Sequence, residues 1–143
     1  MSDRKKVLIV EDVEDTRKLF AIALDHFGFK TFEAVDGVEG LEQTAAVQPD
    51  LIIMDIRMPR MGGLEAMSRL KSHPTSRDIP IVVATANTDK VEIKALRDAG
   101  ACAVLIKPID LPLLRQTVQQ HIQKESAATA SALDQNESRP VDL

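Results

Sequence analysis

Polar side chains that could bind a metal or take part in group transfer follow four of the apolar runs in this sequence. Glu11 and Asp12 come directly after a Val/Ile/Leu run, Asp55 ends a second run, and Thr85 and Lys107 end two more. In an open parallel α/β sheet, ligands bind outside the carboxyl ends of the strands. If these runs are parallel strands, three carboxylates, a hydroxyl and an amine are brought to one edge of the sheet.

Such a group of side chains favours a magnesium site and phosphoryl chemistry. Clustered carboxylates repel one another and need a cation, and oxygen ligands without Cys or a His pair favour Mg²⁺ over zinc. Mg²⁺ takes one or two carboxylates plus phosphate oxygens. The metal and Lys107 would then stabilise charge on a transferred phosphoryl group while a carboxylate oxygen attacks in line. Asp55 is the predicted nucleophile, because it ends a buried strand at the middle of the cluster.

The elements that must position these side chains follow an alternating pattern. Apolar runs alternate five times with helical patterns, which predicts a parallel sheet with crossover helices. The first, third and fourth runs are continuous in Val, Ile and Leu, so these strands are expected at the centre, and the second is expected at an edge. The predicted strands are residues 6–10, 30–35, 51–55, 80–85 and 102–107.

The helical segments between the strands carry apolar stripes that should face the sheet. The predicted helices are residues 15–27, 38–47, 64–72, 89–98 and 110–124, with Thr88 and Asp89 as candidate caps of the fourth and Asp110 as the cap of the fifth. The inward stripes are predicted to be Leu19, Ile22, Ala23 and Phe27 in the first helix, and Leu113, Leu114, Val118 and Ile122 in the fifth.

The bulk properties fit one domain over residues 1–124, followed by a tail over 125–143. The tail lacks strong apolar periodicity and is predicted to be disordered or to extend the last helix. The net charge is −4, so direct nucleic-acid binding is not expected. No apolar run suits a signal peptide or a membrane span, which predicts a cytoplasmic protein without membrane attachment. Cys102 is the sole cysteine, which excludes an internal disulfide, and it is predicted to be buried in the last strand.

Five sequence motifs together resemble a known family. They are VLIVEDVEDTR at 7–17, LIIMDIRMPRMGG at 51–63, IPIVVATAN at 79–87, AGA at 99–101 and VLIKPID at 104–110. In this order, they resemble the CheY-like receiver domain of bacterial two-component response regulators over roughly residues 5–124. The resemblance implies a flavodoxin-like, doubly wound α/β fold with five helices and strand order 2-1-3-4-5, in a receiver of the stand-alone type.

The resemblance also implies roles for the residues at the strand ends. Asp55 would be phosphorylated from a partner's phosphohistidine. Mg²⁺ would be bound by Asp12, Asp55 and the backbone carbonyl of Arg57, and Glu11 would hold a metal-bound water.

Three further residues are matched to the phosphoryl group itself. Lys107 would pair with the phosphoryl group, the hydroxyl of Thr85 would move towards it, and the backbone N–H of Ala86 would donate to it. The Lys107–Pro108 peptide bond is often cis in this family.

The chain departs from the family pattern at a position important for signalling. Many receivers carry an aromatic residue three positions before the lysine of the fifth strand, where this chain has Val104, and the chain contains no Tyr or Trp. We therefore expect the signal to pass through the loop at 86–92 and the fourth helix. Gly62 stands where the family often has Asp, and Arg57 and Asn87 flank the expected path of a hydrolytic water.

The implied partners are a sensor histidine kinase or a histidine phosphotransfer protein, and a target protein that binds the face of the fourth helix, fifth strand and fifth helix. Output binding, phosphorelay and homodimer formation stay open at this point. One alternative is a Mg²⁺-dependent phosphatase of the haloacid dehalogenase type, although such enzymes need a second Asp where this chain has Arg57. A flavodoxin-like FMN carrier and a receiver that is structural and not phosphorylated are the others.

Overall fold

The structure, a computed structural model, describes residues 4–134, with side chains as far as Ile122. Within this range, strands and helices alternate along the chain. The strands are β1 (Lys6–Val10), β2 (Lys30–Ala34), β3 (Leu51–Asp55), β4 (Ile81–Thr85) and β5 (Ala103–Ile106). The helices are α1 (Glu14–His26), α2 (Gly37–Val47), α3 (Gly63–Lys71), α4 (Lys90–Asp98) and α5 (Leu111–Asp134).

The five strands form one parallel sheet in the order β2-β1-β3-β4-β5, which confirms the predicted fold. Every residue of β3 and β4 is buried, as continuous Val/Ile/Leu runs require when helices cover both faces of a sheet. β2 lies at an edge, as its alternating pattern predicts. The register places Asp55 beside Ala84 and Thr85 beside Ile106, so the carboxyl ends of three neighbouring strands finish at nearly the same level.

Alternate residues of the strands pack into two hydrophobic cores, one on each face of the sheet. Ile9 and Ile53 pack on the first face with buried residues of α1 and α5. Leu8 and Ile52 pack on the second face with buried residues of α3 and α4. Full burial of a side chain of this size stabilises the fold by about 1.5–3 kcal/mol, so the sheet that carries the site is its most firmly held part.

Two of the predicted inward stripes were partly wrong. Leu19 and Ile22 of α1 are 50% and 69% exposed, whereas Phe20 and Leu24 of the same helix are almost completely buried. The sheet-facing stripe runs through Arg17, whose charge hid the pattern, and it includes Ala23 as predicted. In α5, Leu114, Val118 and Ile122 are buried at helical spacing, but Leu113 is 44% exposed and lies outside that stripe.

The fifth strand begins one residue later than predicted. Cys102 lies in the bend before Ala103 and is only partly buried, so its predicted full burial within the strand was wrong. The side chain still packs against the first core. α5 continues as far as Asp134, while residues 135–143 of the predicted tail lie outside the described residues.

A search of the described residues for a helix both long and apolar enough to cross a bilayer found none.

Candidate functional site

The carboxyl ends of β1, β3, β4 and β5 bring Glu11, Asp55, Thr85 and Lys107 to one edge of the sheet. The backbone N–H of Glu11 donates to Ala34 O at 3.0 Å, and that of Lys107 donates to Thr85 O at 2.8 Å. Sheet hydrogen bonding therefore continues one residue past β1 and β5. The side chains that follow these strands start from fixed backbone positions.

Lys107 joins the two buried carboxylates. Its Nζ atom lies 2.8 Å from Glu11 Oε1 and 3.3 Å from Asp55 Oδ1. The lysine side chain is 23% exposed, and the Lys107–Pro108 peptide bond is cis. One cation thus faces both carboxylates and is still accessible from outside.

Glu11, Asp12 and Asp55 form an acidic cluster. One carboxylate oxygen from each lies within 4.8 Å of the other two. Glu11 is 1% exposed, and both of its oxygens already accept hydrogen bonds, Oε1 from Lys107 and Oε2 from the N–H of Val13 at 3.1 Å. Asp12 and Asp55 are therefore better suited to direct metal ligation than Glu11 is.

Burial and charge perturb both ionisable partners at the centre of the site. Burial, together with the negative charge of Glu11, raises the pKa of Asp55 to about 6, although Lys107 opposes this shift. Burial by itself would lower the pKa of Lys107, but the hydrogen bond to Glu11 and the charge of Asp55 outweigh it, and the net shift is upward. A carboxyl group with a pKa of about 6 is mostly ionised at neutral pH, and its carboxylate is a stronger base than that of an ordinary aspartate.

Thr85 ends β4 at the site, and Ala86 follows it. The Thr85 side chain is buried, and its Oγ1 accepts a hydrogen bond from the N–H of Asn87 at 3.1 Å. Ala86 is exposed and lines a cavity of about 410 Å³ with Lys107, Pro108 and residues of α1. This cavity gives an approach to Lys107 from the α1 side.

Arg57 is placed differently from the other predicted residues. It follows β3 in the loop after Asp55, and its side chain is 76% exposed. The guanidinium Nη2 lies 4.0 Å from Glu92 Oε1 on α4. The same Glu92 oxygen accepts a hydrogen bond from Asn87 Nδ2 at 2.6 Å.

The loop that carries Arg57 is held by contacts to α2. Arg60 binds Asp36 with two nitrogens, Nε at 2.7 Å from Oδ2 and Nη2 at 3.3 Å from Oδ1, and this pairing holds the pKa of Asp36 below its ordinary value. Arg60 adopts a left-handed backbone with φ of 65°, which persists only where the surroundings enforce it. The N–H of Gly37 also donates to Met61 O at 3.0 Å.

α3 begins directly against the backbone of Asp55. A Cβ atom on Gly63 would lie 2.2 Å from Asp55 O, and the N–H of Gly63 donates to Ile56 O at 2.9 Å. Only glycine at position 63 permits the backbone to pass this close to Asp55. The loop after β3 can therefore fold back against the residue that ends the strand.

One charged residue beside the site was missed by the sequence analysis. Arg17 is buried, donates to the backbone carbonyl of Glu11 at 3.0 Å and pairs with Glu33 at 2.9 Å. It stands three residues before Phe20 on the buried stripe of α1, and a charge in that register is the signal that could have revealed it. Arg17 thus stabilises the backbone at Glu11, the first residue of the Glu11–Asp12 pair.

Comparison with known proteins agrees with this geometry. The family model for the response regulator receiver domain matches residues 7–119. The polar-differentiation response regulator DivK of Brucella anthropi is 36% identical over 118 residues, which cover 82% of this chain and 96% of the relative.

Solved structures give the same picture. A response regulator structure from Chloroflexus aurantiacus has a TM-score of 0.81 at 28% identity and covers 85% of this chain and 99% of its own. The receiver domain of the sensor histidine kinase PA1611 from Pseudomonas aeruginosa has a TM-score of 0.78 at 25% identity, with coverages of 85% and 99%. That structure holds a magnesium ion in its active site cleft.

Proposed function

Since the chain belongs to the response regulator receiver domain family of two-component systems, we propose that it is a phosphorylation switch whose phosphoacceptor is Asp55. The observation that carries this proposal is the contact of Lys107 with Glu11 and Asp55, at 2.8 and 3.3 Å, beside the acidic cluster. A buried aspartate with a fixed cation and metal-ligating neighbours has the parts that phosphoryl transfer to a carboxylate requires.

The transfer step is a displacement at phosphorus. An oxygen of ionised Asp55 forms the new P–O bond while the P–N bond of a phosphohistidine breaks, and the imidazole keeps the electron pair. The ammonium group of Lys107, 3.3 Å from Asp55 Oδ1, offsets charge on the phosphoryl oxygens. The buried hydroxyl of Thr85 has a proton to donate to a phosphoryl oxygen while its own oxygen accepts from Asn87, and the N–H of exposed Ala86 is a further donor.

The acidic cluster fits a magnesium ion, because all three groups that converge on it are carboxylates. We propose that Asp12, Asp55 and the backbone carbonyl of Arg57 are the protein ligands, and that Glu11 acts through a water because both of its oxygens are engaged. Mg²⁺ bound there would supply charge neutralisation for the phosphoryl oxygens.

The phosphoryl donor is proposed to be a histidine kinase or a histidine phosphotransfer protein acting in the cytoplasm. Its imidazole must reach Asp55, so its surface must contact the rim of the site. The cavity of about 410 Å³ beside Lys107 and the exposed side chain of Leu19 offer apolar area there.

The output is proposed to be binding of a target protein to the face formed by α4, β5 and α5. Val91 and Ile106 on this face are 78% and 37% exposed, which favours contact with a partner. Transfer of the phosphoryl group from Asp55 to a histidine-containing protein within seconds would instead support a relay, and a concentration-dependent mass in solution would identify a homodimer.

Phosphorylation with a small donor tests the central proposal. The protein is incubated with acetyl phosphate with and without Mg²⁺, and the intact mass is measured for the wild type, Asp55→Asn and the surface control Asp98→Asn. We expect one added phosphoryl group in the wild type and the control, dependent on Mg²⁺, and none in Asp55→Asn. A wild type that gains no phosphoryl group, or an Asp55→Asn variant that gains one equally, would contradict the proposal.

The phosphatase alternative finds no favourable observation, because the matched family is one of signalling receivers and Arg57 occupies the place of the second aspartate. Measured turnover of a generic phosphate ester would be needed to revive it.

A further inference from the structure

One carboxylate oxygen on α4 is in contact with both the loop after β3 and the loop after β4. Glu92 Oε1 accepts a hydrogen bond from Asn87 Nδ2 at 2.6 Å and lies 4.0 Å from Arg57 Nη2. Arg57 is two residues after Asp55, and Asn87 is two residues after Thr85. The first turn of α4 is therefore linked to both strand ends that carry the proposed phosphoacceptor and hydroxyl.

This linkage is important because α4 is weakly packed. Leu96 is the one fully buried side chain of the helix. At its N-terminus the helix is held by polar contacts, since Asp89 Oδ1 caps Val91 N–H at 2.9 Å and Asn87 Oδ1 accepts from Asp89 N–H at 2.8 Å. A helix with little apolar burial responds readily to changes in such contacts.

We propose that Arg57 is exchanged between Glu92 and the phosphoryl group on Asp55, so that Glu92 restrains phosphoryl binding and the first turn of α4 loosens when Arg57 leaves. The inference rests on the proposed function and adds a regulatory contact to it. Val104 provides no aromatic relay in this chain, and the Arg57–Glu92 pair supplies a route that depends on charge instead.

The charges and the geometry favour this exchange. A phosphoryl group carries nearly two negative charges and several strong acceptors, whereas Glu92 carries one charge. The planar guanidinium can bind phosphate oxygens with two nitrogens, and at 4.0 Å it does not do so with Glu92. The Arg57 side chain is 76% exposed, so little packing opposes its movement.

Thermodynamic linkage makes the influence between the Arg57–Glu92 contact and phosphoryl binding reciprocal. If the phosphoryl group weakens the contact between Arg57 and Glu92 by some factor, Glu92 must weaken phosphoryl binding by the same factor. For an exposed ion pair this factor is about two- to fivefold. It is measurable as a difference in affinity.

The test is a double-mutant cycle with beryllofluoride and Mg²⁺ as the probe. In this complex an Asp55 oxygen completes the tetrahedral coordination of beryllium, and ¹⁹F resonances report binding. Affinities are compared for the wild type, Glu92→Gln, Arg57→Gln and the double variant. Gln at position 92 removes the charge but keeps an oxygen that can accept from Asn87.

We expect the Glu92→Gln variant to bind beryllofluoride about two- to fivefold tighter than the wild type. In the Arg57→Gln background, the same substitution should leave the affinity unchanged. Through-space repulsion by Glu92 alone would give the same gain in both backgrounds, and that result would overturn the exchange. An unchanged affinity in Glu92→Gln would overturn it as well.

Amide hydrogen exchange of residues 89–93 supplies a second readout. Beryllofluoride should speed exchange by about the same two- to fivefold factor in the wild type and in Glu65→Gln, a control that removes a matched exposed pair with Arg69 on α3. Glu92→Gln should exchange faster before the probe is added and respond less to it. Bound probe with no change at α4 overturns the inference alone, whereas a wild type that does not bind the probe overturns the proposed function and the inference together.

Discussion

Replacement of Asp55 by Asn should stabilise the protein in a pH-dependent way. The pKa of Asp55 is raised from its ordinary value of 3.8 to about 6, chiefly by burial. A raised carboxyl pKa means that the folded state prefers the neutral form, whereas the unfolded chain ionises near the ordinary value. As pH rises from about 4 to about 6, the folded state therefore loses stability relative to the unfolded chain.

The size of this loss of stability follows from the shift in the pKa of Asp55. A difference of about 2.2 units corresponds to about 3 kcal/mol at 1.36 kcal/mol per unit, which is an upper bound for a group that water still reaches. Asn at position 55 carries no charge and keeps an oxygen that can accept from Lys107. We therefore expect Asp55→Asn to be more stable than the wild type by about 1–3 kcal/mol at pH 8, and by close to zero at pH 3.5.

Urea denaturation followed by circular dichroism, in EDTA between pH 3.5 and 8, measures this difference directly. The control Asp98→Asn removes an exposed carboxylate that pairs with Lys94 at 2.9 Å, and its difference from the wild type should stay within about 0.5 kcal/mol at every pH. A gap for Asp55→Asn that is independent of pH, or that grows as pH falls, would refute the reasoning. Added Mg²⁺ should stabilise the wild type and not the variant.

Two further substitutions test the surroundings of Asp55. Lys107→Met leaves Glu11 and Asp55 buried without their shared cation, and should lower the free energy of unfolding by about 2–3 kcal/mol at pH 7 and by less at pH 4, in the same urea assay. A cost that does not shrink at acid pH would contradict the charge argument. Gly63→Ala places a Cβ 2.2 Å from Asp55 O and should cost about 3 kcal/mol or more in thermal or urea unfolding, and a wild-type stability would show that α3 can shift freely.

Much of the fold could be predicted from the sequence because the central strands are continuous apolar runs. Leu51–Asp55 reads as a buried strand whatever surrounds it, and its bounds agree with the structure. The stripe of α1 could not be predicted in the same way. Leu19 and Ile22 suggest one face of the helix, but the buried face carries Phe20 and Leu24. Arg17 shares that face, and its charge, which pairs with Glu33, conceals the apolar stripe in the sequence.

The composition of the candidate site was also predictable, because strand ends of a parallel sheet meet at one edge. Glu11, Asp55, Thr85 and Lys107 lie together there, while their chemical roles stay predictions. The contacts of Glu92 with Asn87 and Arg57 were not predictable, since they join side chains of different elements through loop geometry. The pairing of Arg60 with Asp36 depends on a left-handed residue that the sequence does not reveal.

The single buried side chain of α4 has a consequence for how such proteins diversify. Apart from Leu96, substitutions in α4 remove little core packing, and surface changes usually alter stability by no more than about 0.5 kcal/mol. Copies of this chain arising by gene duplication could therefore vary this helix, acquire separate partners and become insulated from one another. The edge of the sheet that carries the candidate site would be inherited unchanged.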